Sequence, residues 1–157
     1  MKLRIADPEQ EADAVAAAEL RQALRAHLYA TDGVLGERAS GDARPYLLGA
    51  YRVRLHEPTV KVIFMDDPPD EAVAFVDAEF LEGRGADRIG QVHALFVRPE
   101  CRRRGVGRQL MAATDRWFTV RGVKEMQLTV PVDDEAALEF FAALGYIPAA
   151  TQLWRRL

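Results

Sequence analysis

Val92-His93-Ala94-Leu95-Phe96-Val97-Arg98-Pro99-Glu100-Cys101-Arg102-Arg103-Arg104-Gly105-Val106-Gly107-Arg108-Gln109-Leu110 is the stretch on which the fold turns. Its first six residues are rich in the β-branched, aromatic and apolar types that suit a strand, and Pro99 closes the run. Beyond the proline the period becomes helical: Leu110, Met111, Thr114, Trp117 and Phe118 fall on one side of a helix that Gly122 ends. A strand thus passes through a short Arg- and Gly-rich turn straight into a helix. Unpaired backbone N–H groups and the positive helix end converge there, which makes an anion site for a phosphate or pyrophosphate. Gly105 and Gly107 admit a ligand without a Cβ in the way, while Arg102, Arg103, Arg104 and Arg108 supply charge-assisted contacts.

Working outward, residues 2 to 6 read as a short strand. Asp7-Pro8-Glu9-Gln10 reads as a helix start, with Asp at the N-cap and Pro at the first helical position. Val15, Leu20, Leu24 and Leu28 line the expected buried stripe of that helix, which runs to about Ala30. Thr31 to Pro45 has no period and reads as a loop or partly helical excursion, long enough for a substrate-side lid. From Tyr46 to Val97 the pattern turns to strands: Val60 to Met65, a turn at Asp66 to Asp70, Ala72 to Leu81, a hairpin at Glu82 to Asp87, and Ile89 to Val97. Such short links make neighbours antiparallel. Downstream, Glu125 to Val130 alternates as a strand stopped by Pro131. A helix follows from Asp133 or Asp134 to Leu144, and Tyr146 to Trp154 supplies the last strands. The order predicts a mixed α/β sheet in a single domain, residues 1–157, with no repeat and no linker.

The 157 residues are 49% hydrophobic, 29% charged and 8% aromatic, the balance of one globular domain. At this length about 70% of the unfolded surface is buried, so folding requires no disulfide or metal. Twenty-one Lys plus Arg against 24 Asp plus Glu gives a net charge of -3, which argues against a nucleic-acid partner. The lone Cys101 forms no internal disulfide, and no Cys/His cluster has zinc spacing, so a reducing, cytoplasmic setting without a metal is expected. The N-terminal segment is no signal peptide, and no run approaches the roughly 20 apolar residues of a membrane span. A membrane partner is therefore not expected, and the protein is read as a monomer or homodimer.

Three phosphate motifs compete for the central turn. The P-loop pattern is absent. The dinucleotide pattern G-x-G-x-x-G fails, because Leu110 stands where its third Gly belongs. R-x-x-G-x-G fits, as Arg102-Arg103-Arg104-Gly105-Val106-Gly107. Together with the preceding Leu95 to Glu100, it resembles the acetyl-CoA-binding motif of the GNAT superfamily of acyl-CoA-dependent N-acyltransferases. That family's later signature, Asn-x-x-Ala-x-x-Leu-Tyr followed by Leu-Gly-Phe, is echoed by Asp134-x-x-Ala137-x-x-Phe140-Phe141 and Leu144-Gly145-Tyr146. The resemblance spans residues 89 to 146. Two departures stand out: Asp134 replaces an Asn that often contacts the pantetheine arm, and Phe141 replaces a Tyr that in many members sits near the thiolate as general acid.

The resemblance implies an α/β (α+β) fold with a mixed, mostly antiparallel central sheet flanked by helices, and acetyl-CoA as cosubstrate. It implies that the backbone of Leu95, Phe96 and Val97 bonds the pantetheine arm. The Leu95 N–H would stabilise the oxyanion of the tetrahedral intermediate, a contact worth about 2.7 to 4 kcal/mol. Arg102, Arg103, Arg104, Gly105, Val106, Gly107 and Arg108 would hold the pyrophosphate, and Asp134 and Phe141 would border the arm and the sulfur.

Amine attack on a thioester needs a neutral amine, so some group must take a proton. His93 is two residues before Leu95 on the same strand and, by simple alternation, the same face; its unperturbed pKa of about 6.5 suits the task. Gln91, one step earlier, can orient a water. The other reading makes His93 a packed strand residue with a satisfied hydrogen bond. His27 and His56 read as structural or surface residues, Cys101 as a small turn residue, and Trp117 and Phe118 as core. Asp77 and Glu79 on one strand face, with Asp66, Asp67, Asp70 and Glu71 in the adjoining turn, read as an acidic rim that attracts a cationic amine. Three functions follow: an N-acetyltransferase acting on an amine of a small molecule or peptide, a non-catalytic acyl-CoA-binding or sensor module, or a nucleotide-binding protein using the same turn.

Overall fold

Five strands form one sheet in the order β1 (Lys2–Ile5), β2 (Val60–Asp66), β3 (Ala72–Glu82), β4 (Arg88–Val97) and β5 (Val123–Leu128) in the computed structural model, which describes residues 1–31, 41–68, 71–82 and 87–153. The first four strands pair antiparallel and β5 lies parallel to β4. A parallel pair needs a long crossover, and the helix α3 (Val106–Val120) provides it. Two helices, α1 (Glu11–Thr31) and α2 (Arg44–Arg54), cover one face of the sheet, while α3 covers the other and α4 (Glu135–Ala142) packs beside it.

Both faces of the central strands are therefore buried. On one, Ala14, Ala17, Ala18 and Leu20 of α1 and Tyr51 of α2 meet Val62, Phe64, Phe75, Ala94 and Phe96. On the other, Val106, Leu110, Met111 and Phe118 of α3 meet Ile63, Val76, Ala78, Phe80 and Val92. The stripe on α1 differs from the expected one. Val15 is 40% exposed, and small alanines three and four residues apart let the helix lie close to the sheet.

Other sequence expectations are corrected here. α1 begins at Glu11, because Asp7 closes a turn of its own, accepting the Glu9 N–H on its side chain and the Gln10 N–H on its carbonyl. Residues 44–54 form a helix within a region read as strand: Pro45 occupies its first turn, and Leu47, Tyr51 and Leu55, four apart, face the core. Tyr146 to Leu153 forms no strand. The Tyr146 and Gly145 N–H groups return to the carbonyls of Phe141 and Ala142 and close α4, after which Pro148 has no N–H to give a ladder. Residues 32–40 of the lid expected over Thr31 to Pro45, the tip 83–86 of the hairpin expected at Glu82 to Asp87, part of the turn at 69–70, and Trp154 lie outside the described residues. Among the described residues no helix is long and apolar enough to cross a membrane, and no group of three or more His, Cys, Asp or Glu side chains is placed to hold a metal ion.

α2 is fastened to β3 by polar contacts as well as by Tyr51. Arg54 grips Asp77 from Nε and Nη2 (3.0 and 2.9 Å to Oδ1), and the Tyr51 hydroxyl donates to Asp77 Oδ2 (3.0 Å). Asp77 is only 3% exposed, so Arg54→Met should strand a buried carboxylate and cost about 3 kcal/mol in urea unfolding. Replacing Asp77 by Leu in the same background should recover part of that loss. A second test concerns close packing. A Cβ on Gly90 would stand 2.8 Å from the ring of Phe118, which is 1% exposed, so Gly90→Ala should destabilise by about 1 to 3 kcal/mol at an unchanged urea slope.

Candidate active site

The β3–β4 register shifts within the ladder: Asp77 stands opposite Ala94 and Ala78 opposite Val92, so His93 is the extra residue of a bulge. Beyond it the faces exchange. Val92 packs on the α3 side, whereas Ala94 and Phe96 pack on the α1 and α2 side and Leu95 and Val97 on the α3 side. His93 turns toward Glu79, with Nε2 at 3.0 Å from Oε2. Asp77 and Glu79 both bond Arg54 of α2, and Gln91 pairs directly with Glu79, so His93 and Gln91 share that face. The expectation that His93 and Leu95 share a face is thus overturned by the inserted residue.

The β4–β5 ladder ends at Val92–Leu128, while β4 runs on to Val97. Arg98 donates its N–H to the Val73 carbonyl of β3; by alternation Val97 and Leu95 turn their main-chain groups the other way, where β5 no longer runs. Phe96 faces β3, so its main chain is not among the groups open on that edge. Two carbonyls at the edge are held by arginines: Arg21 Nη1 donates to His93 O (2.6 Å) and Arg102 Nε to Val97 O (3.0 Å). The edge then leads through a 3-10 turn, Pro99–Cys101, to the N-terminus of α3.

That N-terminus has Gly105 as its N-cap, at φ 76°, with no side-chain cap. The first N–H groups of α3 consequently lack a side-chain cap. Arg103 is also left-handed, at φ 59°. Arg102 lies over the Phe96 ring at 5.8 Å and Arg104 sits 3.6 Å from Asp67. Arg103 and Arg108 are exposed and form no ion pair among the described residues. Of the two glycines, a Cβ on Gly105 would meet nothing within 4 Å, whereas one on Gly107 would stand 3.1 Å from the Phe140 ring. Gly107 therefore makes room for α4 as much as for a ligand, and Val106 is buried beneath the turn.

Asp134 caps α4, accepting the Ala137 N–H on Oδ1 (3.0 Å), and its other oxygen is 3.4 Å from His27 Nε2 of α1. Phe141 packs edge-on against Phe140 and Tyr146, with centroids 5.0 and 5.4 Å apart. The Tyr146 hydroxyl donates to the Met126 sulfur, and burial, with the charge of Asp115 adding to it, pushes this phenol up to about 12.

The expected acidic rim is not free. Asp77 and Glu79 bond Arg54, Asp66 bonds Arg4, and Glu71 pairs with Arg98. On this side Tyr51, Arg54, Asp77, His93 and Arg21 line a solvent-open cleft of about 170 Å³ between α1, α2, β3 and β4. Burial first, then the Asp77 charge, raises the Tyr51 phenol far above its ordinary range. Sequence reasoning missed Tyr51, Arg54 and Arg21. The three-residue spacing of Tyr51 and Arg54 was the available signal, legible only once that segment is taken as helix.

The sequence profile of the acetyltransferase (GNAT) family matches residues 19–146, which contain every residue of this site. Aminoglycoside N(6')-acetyltransferase type 1 of Salmonella typhimurium is 32% identical over 79 residues, 48% of this chain and 54% of that one. The chain thus spans about half the length of this curated relative. Among solved structures, the tetramutant of the BH1408 protein from Bacillus halodurans superposes with a TM-score of 0.82 at 18% identity, over 100% of both chains. Aminoglycoside N-acetyltransferase AAC(6')-Iy in complex with CoA superposes at 0.71 with 22% identity, over 99% of this chain and 93% of that one. These two structures agree in fold, and the profile, matched across the strand, turn and helix of the site, makes this chain a member of the GNAT acetyltransferase family.

Proposed function

We propose that the protein transfers an acetyl group from acetyl-CoA to a primary amine of a small molecule or peptide by direct attack. The observation that carries the reading is the parting of β4 from β5 after Val92, beside the uncapped N-terminus of α3. An extended arm bearing amide groups suits the open main chain of Leu95 and Val97, and a pyrophosphate suits the N–H groups, Gly105, Arg103 and Arg108 at the turn. The CoA complex of a structural neighbour of the same fold supports a CoA thioester as donor. A buried, lone Cys101 suits a reducing, cytoplasmic setting.

In this reading the amine nitrogen attacks the thioester carbonyl carbon. A C–N bond forms, the carbonyl electrons move onto oxygen near the Leu95 N–H, and collapse breaks the C–S bond, with the electron pair leaving on sulfur. An ionised Glu79 only accepts hydrogen bonds, so the His93 nitrogen it faces carries the proton and Nδ1 is the basic one. His93 Nδ1 takes the proton shed by the amine, with Glu79 as the positioning residue. Phe141 has no proton to donate, yet a thiol of pKa about 8.5 leaves as a fair thiolate unaided. Solvent then reprotonates it, because the Tyr146 phenol, pushed up by burial and donating to the Met126 sulfur, is the weaker acid.

Titration with acetyl-CoA, ADP and ATP, followed by CoA release against an amine panel, tests the function. CoA binding without turnover on any amine would favour the sensor reading, and equal affinity for ADP and ATP the nucleotide reading. Arg108→Gln, at an exposed position without an ion pair among the described residues, should weaken CoA binding about tenfold at an unchanged melting temperature; undiminished affinity would move the pyrophosphate elsewhere. His93→Ala should lower turnover about 100-fold, leave CoA affinity as it is, and remove the acidic limb of the pH–rate profile. Activity equal to the parent protein would return His93 to a packing role.

A further inference from the structure

The cavity beside His93 is selective by its charges. Arg54 is matched by Asp77 and Glu79, but Arg21 forms no ion pair among the described residues. Its recorded bond is to the His93 carbonyl, so most donors of its fork stay open. The guanidinium also stands near enough to the Tyr51 phenol for its charge to act there.

Of the carboxylate oxygens, three are committed and only Glu79 Oε1 has no bond among the described residues. Asp77 is buried, with Oδ1 held by Arg54 and Oδ2 shared by Arg54 and Tyr51. Glu79 Oε2 is shared between Arg54 and His93. Arg21, Arg54, Asp77 and Glu79 sum to zero, and the cavity becomes positive once His93 accepts the amine proton. A polycationic acceptor would bring further positive charge against Arg21. An acceptor with its own anion there would keep the site neutral as the proton moves.

Size and spacing narrow the class. The cleft, of about 170 Å³, is small, and α2 lines it with Leu47 and Ala50. Arg21 is bonded to the main chain of the very residue whose imidazole takes the proton, so an anion on its open donors and an amine at that imidazole can belong to one small molecule. We propose that the acceptor is a small amine bearing a carboxylate on an adjacent carbon, a free amino acid, and that Arg21 selects it by binding that carboxylate. This rests on the acetyl-transfer reading above.

Calorimetry in saturating CoA compares leucine with isopentylamine, phenylalanine with phenethylamine and alanine with ethylamine, pairs that differ only by the carboxylate. At least one amino acid should bind tenfold or more tightly than its amine. Arg21→Met should erase that ratio while keeping its CoA affinity, and Arg21→Lys, a charge without the fork, should keep a smaller one. An Arg21 that only braces the bulge would weaken both members of a pair alike and leave the ratio intact, which would overturn the proposal. So would equal affinities, or no binding, across all three pairs in the parent protein. CoA release from acetyl-CoA separates the two readings. A carboxylate preference without release would sink acetyl transfer and spare the Arg21 assignment, whereas release with no preference would do the reverse.

Discussion

Inserting one residue into β4 opposite the Asp77–Ala78 step bends the strand and exchanges the two faces of everything beyond it. Before the bulge Val92 feeds the α3 core; after it Ala94 and Phe96 feed the core under α1 and α2. The same bend coincides with the end of the β5 ladder, and it leaves main-chain groups that a sheet would ordinarily consume. Arginine side chains from α1 and from the turn after β4 hold the His93 and Val97 carbonyls. The Leu95 edge between them stays open. The open edge here is therefore backbone that secondary structure has left unpaired.

A second constraint holds the opposite side. The Asp77 carboxylate is buried where an unpaired charge would be costly, and Arg54 and Tyr51 of α2 satisfy it. Ion pairing of this kind adds little net stability over a well-packed apolar contact. It does fix where α2 sits relative to β3, and with it the orientation of Glu79, which shares Arg54 with Asp77 and passes the constraint on to the His93 ring. Orientation of one imidazole thus depends on a chain of contacts spanning a helix and two strands.

The sequence was most informative where chemistry is local. A strand entering a helix through glycines and arginines can be read from adjacent residues, and residues 92–110 led to the sheet class, the α3 helix and the family resemblance. The bulge left no mark in the sequence, because it exists only in the register between two strands, and so His93 and Leu95 were assigned to one face. Helix α2 was hidden by Tyr46, Tyr51 and Val53, whose propensities lean toward strand, and by Gly49 in its interior; contact with α1 and the sheet decides for helix. Arg21 lies on a helix whose buried stripe is alanine, so nothing in its surroundings along the chain distinguished it from any solvated arginine. The last strands were expected from apolar residues that instead lie exposed, Ile147 at 81% and Leu153 at 89%.

Helix α4 has eight residues, none of them fully buried, and it is held by Phe140 and Phe141 packed against the α3-side core, by the Phe140 ring over Gly107 and by the Asp134–His27 pair. Such an element belongs to the less protected part of a native ensemble, since detaching it breaks few long-range contacts. It also leans directly on the arginine-rich turn. Fluctuations that lift α4 therefore uncover that turn at a small fraction of the free energy of global unfolding, so the chain can breathe at its C-terminal end while its five-stranded sheet stays closed.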